Sequence, residues 1–353
     1  MKIFHNPDHA AHAGRVEMFR GQLVAAHEVP ARLDHVLAEL QRRPLGPMAP
    51  PAVDDAALDR ALAAVHDPAY LDFLRGAWEE WVALDPANVG RDALPSVWPL
   101  PARHGFRTDA LPRHFAARLG RFGFDAGTPL TAGSWRASRT GAACALAAAQ
   151  AVLAGARSAF ALTRPPGHHA GPDYFGGYCF LNNAAVAAQA LRDGGCARVA
   201  VLDIDYHHGN GTQTIFYERA DVFTASLHGD PDTEYPFFLG RADERGAGEG
   251  EGFNLNRPLP RGTGAAAWRA ALDEALDAVA RFDPQALVVP LGVDTFEGDP
   301  ISGFALRSSD YPGIGAALAG LGLPSVFTFE GGYAVAEVGV NAVNVLEGFA
   351  RGV

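Results

Sequence analysis

Residues 198–210 read RVAVLDIDYHHGN, and this stretch decides the fold class. A short apolar run is followed at once by acidic residues and histidines, which is typical of a buried parallel strand with polar side chains at its carboxyl end. Four further short runs with β-branched or aromatic residues show the same arrangement. The predicted strands are 158–163, 198–203, 222–227, 286–291 and 325–329.

Alanine-rich helical stretches separate these strands. They are 134–154, 183–192, 265–281, 309–319 and 335–349. The alternation predicts an α/β fold with three layers, αβα, in which the middle layer is a mainly parallel sheet. Because no repeat and no polar linker divides the chain, we expect one domain over residues 1–353. Within it, residues 84–131 contain six prolines, and we interpret this segment as a capping or dimerisation insertion.

The composition excludes several classes of protein. The 353 residues include 29 basic and 40 acidic ones, a net charge of −11, with no Lys/Arg-rich stretch, so we expect no binding to nucleic acid. The longest apolar run, 142–156, is shorter than the roughly 20 residues of a membrane span. Three cysteines without a C-x-x-C pair indicate no disulfide framework and no thiolate cluster. Since the N-terminus lacks an apolar signal core, we expect a cytoplasmic protein that does not associate with membranes.

Five polar clusters begin where the predicted strands end. They are 164–169 (RPPGHH), 203–210 (DIDYHHGN), 226–230 (SLHGD), 292–297 (GVDTFE) and 330–333 (EGGY). In an open parallel sheet, ligands bind in the crevice beyond the carboxyl ends of the strands. We therefore expect the clusters to form one shared site.

The cluster that begins at Asp203 indicates a metal site. Asp203, Asp205 and His207 are spaced two apart, so in an extended chain they share one face. A divalent cation would remove the cost of burying carboxylates there. With Asp294 from another strand end, Asp205 and His207 supply two carboxylates and one imidazole, an open site for zinc or ferrous iron. The alternative is that the aspartates only cap a helix or a turn.

Two further clusters carry groups suited to acid–base chemistry. His168 and His169 follow a Pro-Pro-Gly turn that fixes where both rings project, and such a pair suits proton transfer at neutral pH. Asp203 and Asn210 could each accept a hydrogen bond from one of the rings. Tyr333 follows two glycines, and its hydroxyl could donate to a developing oxyanion.

Long motifs extend along nearly the whole chain in a specific order and spacing. They are EVPAR (28–32), HDPAYL (66–71), RPPGHHA (164–170), FGGYCFLNNAA (175–185), DIDYHHGNGTQ (203–213), SLHGDP (226–231), LGVDTFEGDP (291–300) and FEGGY (329–333). With these motifs the chain resembles the histone deacetylase superfamily, which has the arginase-deacetylase fold. Within it, the chain looks most like the bacterial acetylpolyamine amidohydrolases.

The resemblance implies a zinc amidohydrolase. Asp205, His207 and Asp294 would hold the metal, which activates water and polarises the amide carbonyl. His169 would be the general base and then the acid, and His168 its electrostatic partner. The dinuclear manganese enzymes of the same fold have a third ligand where this chain has glycine (209), so one catalytic metal is expected.

Supporting roles also follow from the resemblance. Asp203 and Asn210 would accept hydrogen bonds from the two histidines, and Tyr333 would be the oxyanion donor. A structural potassium ion would be held by the main-chain oxygens of Asp203, Asp205, His207 and Leu227 with the Ser226 hydroxyl.

For the substrate, the resemblance indicates acetylated polyamines or similar small acetylated amines. Glu17 lies where the polyamine enzymes carry an acidic residue that could meet a distant ammonium. Tyr235 preserves a slot for a thin aliphatic chain. Gly177 and Tyr178 belong to an aromatic cluster, 174–178, that lines an apolar tunnel or packs in the core.

The insertion differs from that of the polyamine enzymes, because residues 98–124 hold Asp109 alone against five arginines. Short diamines, acetyl-lysine peptides and a non-cationic amide therefore stay open as substrates. A protein acetyl-lysine deacetylase is the alternative, which a long capping insertion disfavours. A catalytically silent module that binds acetylated ligands is a further alternative, but every predicted ligand, base and oxyanion donor is present. We expect a homodimer.

Overall fold

The structure is a computed structural model that describes residues 1–97 and 110–352. Its centre is a β-sheet. The strands are β1 Lys2–His5, β2 Val16–Phe19, β3 Gln22–Ala25, β4 Met48–Ala49, β5 Ser158–Leu162, β6 Val199–Asp203, β7 Val222–Gly229, β8 Asn254–Leu259, β9 Ala286–Leu291 and β10 Ser325–Phe329. Eight of them form one parallel sheet in the order β4-β1-β5-β10-β9-β6-β7-β8. Strands β2 and β3 form a separate antiparallel hairpin.

Helices cover both faces of the sheet. They are α1 Ala31–Arg42, α2 Asp55–Ala63, α3 Pro68–Leu84, α4 Phe115–Phe122, α5 Ser134–Leu153, α6 Asn183–Asp193, α7 Asn210–Phe216, α8 Ala265–Phe282, α9 Tyr311–Ala319 and α10 Val335–Gly352. One hydrophobic core lies between the sheet and α2 to α6, and a second lies between the sheet and α1, α8, α9 and α10. Among the described helices, none is both long and apolar enough to cross a membrane.

Alternate residues of each central strand enter opposite cores. In β5, Ala159 and Ala161 belong to one core, whereas Phe160 and Leu162 belong to the other. Because the strands are buried on both faces, their sequences read as continuous apolar runs rather than as alternating ones. The predicted αβα fold with a mainly parallel sheet is confirmed.

The pattern of apolar runs finds the interior of the sheet better than its edges. All five predicted strands and all five predicted helices are present, with ends shifted by a few residues. The pattern does not predict β1, β4, β8, the β2–β3 hairpin or the helices α1 to α4 and α7. Strand β8 contains Arg257 and Pro258 and lies at the edge of the sheet, where polar residues and proline are tolerated.

The predicted insertion, 84–131, is described in part, because residues 98–109 lie outside the described residues. Helix α4 packs Phe115 and Phe122 against Phe73 of α3, with ring centroids 6.1 and 4.9 Å apart. This part of the segment therefore contributes to the core of the domain. Its capping and dimerisation role stays a prediction.

Candidate active site

The predicted polar clusters meet at the carboxyl edge of the sheet, and four of the five contribute to one site. The exception is 226–230. His228 of that cluster donates through Nε2 to the Gly240 carbonyl at 2.8 Å, and its ring packs 4.5 Å from that of His208. This cluster therefore supports the site from outside the cavity.

Asp205, His207 and Asp294 form a buried triad. Asp205 and His207 follow β6, and Asp294 follows the neighbouring strand β9. One side-chain ligand atom from each lies within 4.8 Å of the other two. His207 turns Nδ1 toward both carboxylates, 3.0 Å from Asp294 Oδ2 and 3.4 Å from Asp205 Oδ1. The triad therefore converges on one point.

Main-chain amides hold the two carboxylates of the triad in place. Tyr206 N donates to Asp294 Oδ1 at 2.8 Å, His207 N donates to Asp205 Oδ1 at 2.8 Å, and Gly331 N donates to Asp205 Oδ2 at 2.7 Å. A Cβ atom at Gly331 would collide with both carboxylates. Glycine at this position therefore lets the chain pass directly behind the triad.

The electrostatics of the triad favour a cation. Burial and the charge of Asp205 raise the pKa of Asp294 to about 7. Burial opposes a charged His207, but hydrogen bonds and charges from Asp205 and Asp294 raise its pKa to about 10. Both shifts show that positive charge is favoured at the centre of the triad. Two buried carboxylates and one imidazole are a donor set that zinc or ferrous iron fits.

The tandem histidines lie beside the triad, and each of the two predicted acceptors takes a hydrogen bond from one ring. His168 Nδ1 donates to Asp203 Oδ2 at 2.9 Å, and His169 Nδ1 donates to Asn210 Oδ1 at 2.6 Å. Because this amide oxygen only accepts, neutral His169 keeps its proton on Nδ1 and its lone pair on Nε2. No described residue hydrogen-bonds to that Nε2, and the ring lines the cavity.

The two histidines have opposite protonation. Burial alone would lower the pKa of His168, but the charges of Asp205 and Asp203 raise it to about 10. Burial lowers the pKa of His169 well below its usual value, and the positive charge of His168 lowers it further. At neutral pH the pair therefore holds one imidazolium and one neutral imidazole.

Tyr333 lies in residues 329–334, a short segment that begins at the last residue of β10 and that we call the strap. Its ring lines the same cavity as His169 and lies 5.5 Å from that of Tyr178. Burial raises the pKa of its hydroxyl well above the usual value. Tyr333 therefore remains a hydrogen-bond donor at neutral pH.

The cavity has a volume of about 340 Å³ and largely apolar walls. Tyr235 stacks on Phe124, with ring centroids 5.9 Å apart, and stands perpendicular to the His169 ring at 5.1 Å. Gly177 and Tyr178 form another part of the wall. Tyr235 therefore lies in the cavity wall, and its role in a slot for a thin chain stays a prediction.

Glu17 lies in the cavity wall on β2, and its carboxylate already has three donors. His27 donates to it from its main-chain nitrogen at 3.1 Å and from Nδ1 at 2.7 Å, and the Tyr178 hydroxyl donates at 2.9 Å. Each carboxylate offers about four lone-pair positions, so one stays available for a ligand.

Three residues that shape the site have no role in the predictions from the sequence. Phe124 forms one side of the aromatic slot. Asp125 accepts from Gly177 N at 2.6 Å and from the Tyr235 hydroxyl at 2.8 Å, and so joins two walls of the cavity. Arg32 donates to the main-chain oxygens of Gly332 and Glu330. Arg32 and Glu28 are the two ends of the EVPAR motif (28–32), and their i, i+4 spacing is the signal in the sequence for this ion pair.

The predicted potassium ligands lie behind the triad. Asp203 and Ser226 are register partners on β6 and β7, with Leu227 next along β7. Because His228 donates through Nε2, its Nδ1 accepts from the Ser226 hydroxyl at 2.8 Å, and the lone pairs of Ser226 stay free. The ion itself stays a prediction.

Comparison with known proteins agrees with this geometry. Residues 26–349 match the histone deacetylase domain. The chain is 51% identical over 349 residues to acetylpolyamine amidohydrolase 1 of Pseudomonas aeruginosa, covering 99% of both chains. It is 44% identical over 350 residues to the acetylpolyamine amidohydrolase of Mycoplana ramosa, covering 99% of this chain and 100% of that relative.

A solved structure extends the similarity to three dimensions. The crystal structure of an acetylpolyamine aminohydrolase from Burkholderia pseudomallei superimposes with a TM-score of 0.93 at 41% identity. The match covers 100% of this chain and 99% of that one.

Proposed function

The chain belongs to the histone deacetylase family, and from this premise we propose that it is a zinc-dependent amidohydrolase that removes acetyl groups from small acetylated amines, acetylpolyamines above all. One observation carries the proposal. His169, His207 and Tyr333 line one cavity, and Asp205 and Asp294 lie buried next to His207, each with a ligand atom within 4.8 Å of it.

The buried donor set of the triad supports a divalent cation, with zinc as the first candidate and ferrous iron as the second. Bound there, the ion would supply a Lewis acid that polarises the amide carbonyl and lowers the pKa of a water molecule. The main-chain amides behind Asp205 and Asp294 keep these ligands oriented.

His169 moves the proton in this mechanism. Its neutral Nε2 takes the proton that the attacking water loses and then delivers it to the leaving nitrogen. His168 stays protonated between Asp203 and Asp205, so its charge keeps the pKa of His169 low and favours return of the proton to the amine. Tyr333 donates to the carbonyl oxygen as negative charge develops on it.

The shape and charge of the cavity support a slim cationic substrate. The Phe124–Tyr235 slot accommodates an aliphatic chain, and Glu17, Asp125 and Glu234 place carboxylates in the cavity wall. A distant ammonium would be attracted to this end of the cavity. The relatives from Pseudomonas aeruginosa and Mycoplana ramosa are named acetylpolyamine amidohydrolases, which supports the same substrate class.

Purified, zinc-loaded protein should hydrolyse acetylputrescine, acetylcadaverine and acetylspermidine. We expect kcat/KM for the best of them to exceed that for an acetyl-lysine peptide by about tenfold or more, because a slot of this width restricts access to bulky chains. A higher kcat/KM for the peptide would favour the protein deacetylase alternative. No turnover of any substrate by protein with bound zinc would favour the silent binding module.

Glu17→Gln tests whether the distant ammonium is recognised. A hydrogen bond to a charged group is worth about 1.5–3 kcal/mol, so KM for acetylputrescine should rise roughly tenfold or more while kcat changes little. N-butylacetamide, which lacks the ammonium, is the matched substrate, and its KM should stay within about twofold. An equal rise for both substrates would restrict Glu17 to supporting Tyr178.

Gly177→Ala tests the placement of His169. Gly177 has φ +54°, and a Cβ there would overlap the His169 ring. A displacement of about 1 Å can cost roughly 10²-fold, so kcat should fall by this order. Gly248→Ala is the matched control, because Gly248 has φ +56° with open space around its Cβ position. If both variants lose the same fraction of activity, backbone strain rather than displacement of His169 explains the loss.

A further inference from the structure

We propose that Asp299 is a positioning residue that sets the place of the Tyr333 hydroxyl during deacetylation. This inference rests on the proposed function, in which Tyr333 donates to the developing oxyanion. Asp299 belongs to the loop that follows the metal ligand Asp294, and it is neither a member of the triad nor a lining residue of the cavity.

Hydrogen bonds tie the strap to the site at each successive residue, through the side chain of Glu330 and the main chain of the residues after it. Glu330 accepts from Gly167 N at 2.6 Å, which holds the turn of the tandem histidines. Gly331 N donates to Asp205, and the Gly332 carbonyl accepts from Arg32 Nε at 2.6 Å. The strap therefore connects the histidine turn, the metal triad and Tyr333.

At Tyr333 this tie is Asp299. Asp299 Oδ2 accepts from Tyr333 N at 2.7 Å and from Ala334 N at 3.3 Å. The Tyr333 hydroxyl has no hydrogen-bond partner among the described residues. Its position therefore depends on the main-chain anchor and on ring packing against Tyr178 and Arg32.

The need for an anchor follows from the preceding glycine. Gly332 has φ +132°, a conformation that other residues rarely adopt and that glycine adopts at little cost. Such a residue gives the chain freedom just where the oxyanion donor needs a fixed place. Asp299 removes that freedom on the far side of Gly332.

The carboxylate of Asp299 is itself held rigidly. Its Oδ1 accepts from Ile301 N at 3.0 Å, and the residue is 9% exposed. No arginine, lysine or histidine of the described residues forms an ion pair with it, so main-chain amides supply its hydrogen bonds. A carboxylate satisfied in this way is a short, directional link between two loops.

Asp299 could instead act only as a cap, since its amide partners directly precede helix α10. A cap contributes to stability alone, whereas a positioning residue acts through Tyr333. The two roles differ in how substitutions at Asp299 and Tyr333 combine.

The experiment is a double-mutant cycle of Asp299→Ala and Tyr333→Phe in zinc-loaded protein with acetylputrescine. We expect Asp299→Ala alone to lower kcat by about 10- to 100-fold with KM within about threefold, because a misplaced donor loses transition-state stabilisation. In the Tyr333→Phe background, the same substitution should lower kcat by less than about twofold. Zinc content should stay at the wild-type level.

An equal loss of kcat in both backgrounds would overturn the proposal and leave Asp299 as a cap. A wild-type kcat for Asp299→Ala would overturn it as well. If this variant does not fold, Asp299→Asn carries the same cycle. Its one amide oxygen still accepts from one main-chain amide, but it cannot replace both carboxylate oxygens, so the link between the two loops is broken at one end. Asp310→Ala is the matched control, since Asp310 also accepts from a main-chain amide, that of Arg307, away from Tyr333, and its kcat should stay within about twofold of wild type.

A failure of the proposed function gives different results from a failure of this inference. If the wild-type protein turns over no acetylated amine, or if Tyr333→Phe keeps full kcat, the assigned chemistry is wrong whatever Asp299 does. If Tyr333→Phe has a low kcat, and Asp299→Ala lowers kcat in this background by the same factor as in the wild type, only the proposed role of Asp299 is wrong.

Discussion

Asp205→Asn should abolish zinc binding and lower kcat/KM by about 10⁴-fold or more, because a metal that polarises the carbonyl and activates water contributes several kcal/mol to the transition state. The substitution keeps the size of the side chain but removes the charge that the ion needs. In the wild-type protein, the two oxygens of Asp205 accept from His207 N and Gly331 N. Asparagine has one oxygen, so its NH₂ group would face one of these N–H donors.

Zinc itself gives a readout that is independent of turnover. A ligand that binds only the folded state raises its stability, so added zinc should raise the Tm of the wild-type protein and leave that of Asp205→Asn unchanged. Asp230→Asn is the matched control, because Asp230 also follows a strand end but takes no part in the triad. Full zinc occupancy in Asp205→Asn would contradict the assignment of the triad.

The sequence predicts which polar side chains lie together at the sheet edge because strand ends and motif spacing together limit where they can lie. Asp203, Asp205 and His207 end one buried strand and Asp294 follows its neighbour, so parallel topology alone brings them to one edge. The hydrogen bonds of His168 to Asp203 and of His169 to Asn210 use the two acceptors that the sequence predicts.

The parts that escape sequence analysis depend on contacts between segments far apart in the chain. Asp125 holds Tyr235 across 110 residues, and Arg32 reaches Gly332 across 300. Neither contact has a local pattern in the sequence. One partner of each contact, Asp125 or Gly332, lies in a loop, and a loop has no fixed register that would predict its position. The same reason applies to the three donors of Glu17, which come from His27, just after β3, and from Tyr178.

His169→Ala should lower kcat by about 10²- to 10⁴-fold, the usual contribution of general acid–base catalysis, while zinc content stays at the wild-type level. The reason is the environment of the ring: burial and the charge of His168 hold its pKa below the usual value, so Nε2 is free to take a proton at neutral pH. Steady-state kinetics and metal analysis of the purified variant test this. A near-normal kcat would remove His169 from the mechanism.

Asn210→Asp is the matched variant, because it keeps the shape of the partner and changes only its charge. A carboxylate at Nδ1 favours the imidazolium, so the pKa of His169 should rise. The base is then protonated up to a higher pH, and the acid limb of kcat/KM should shift to higher pH than in the wild type. An unmoved limb would mean that a group other than His169 accepts the proton, since the Asn210 contact at 2.6 Å is the only side-chain hydrogen bond to its ring among the described residues.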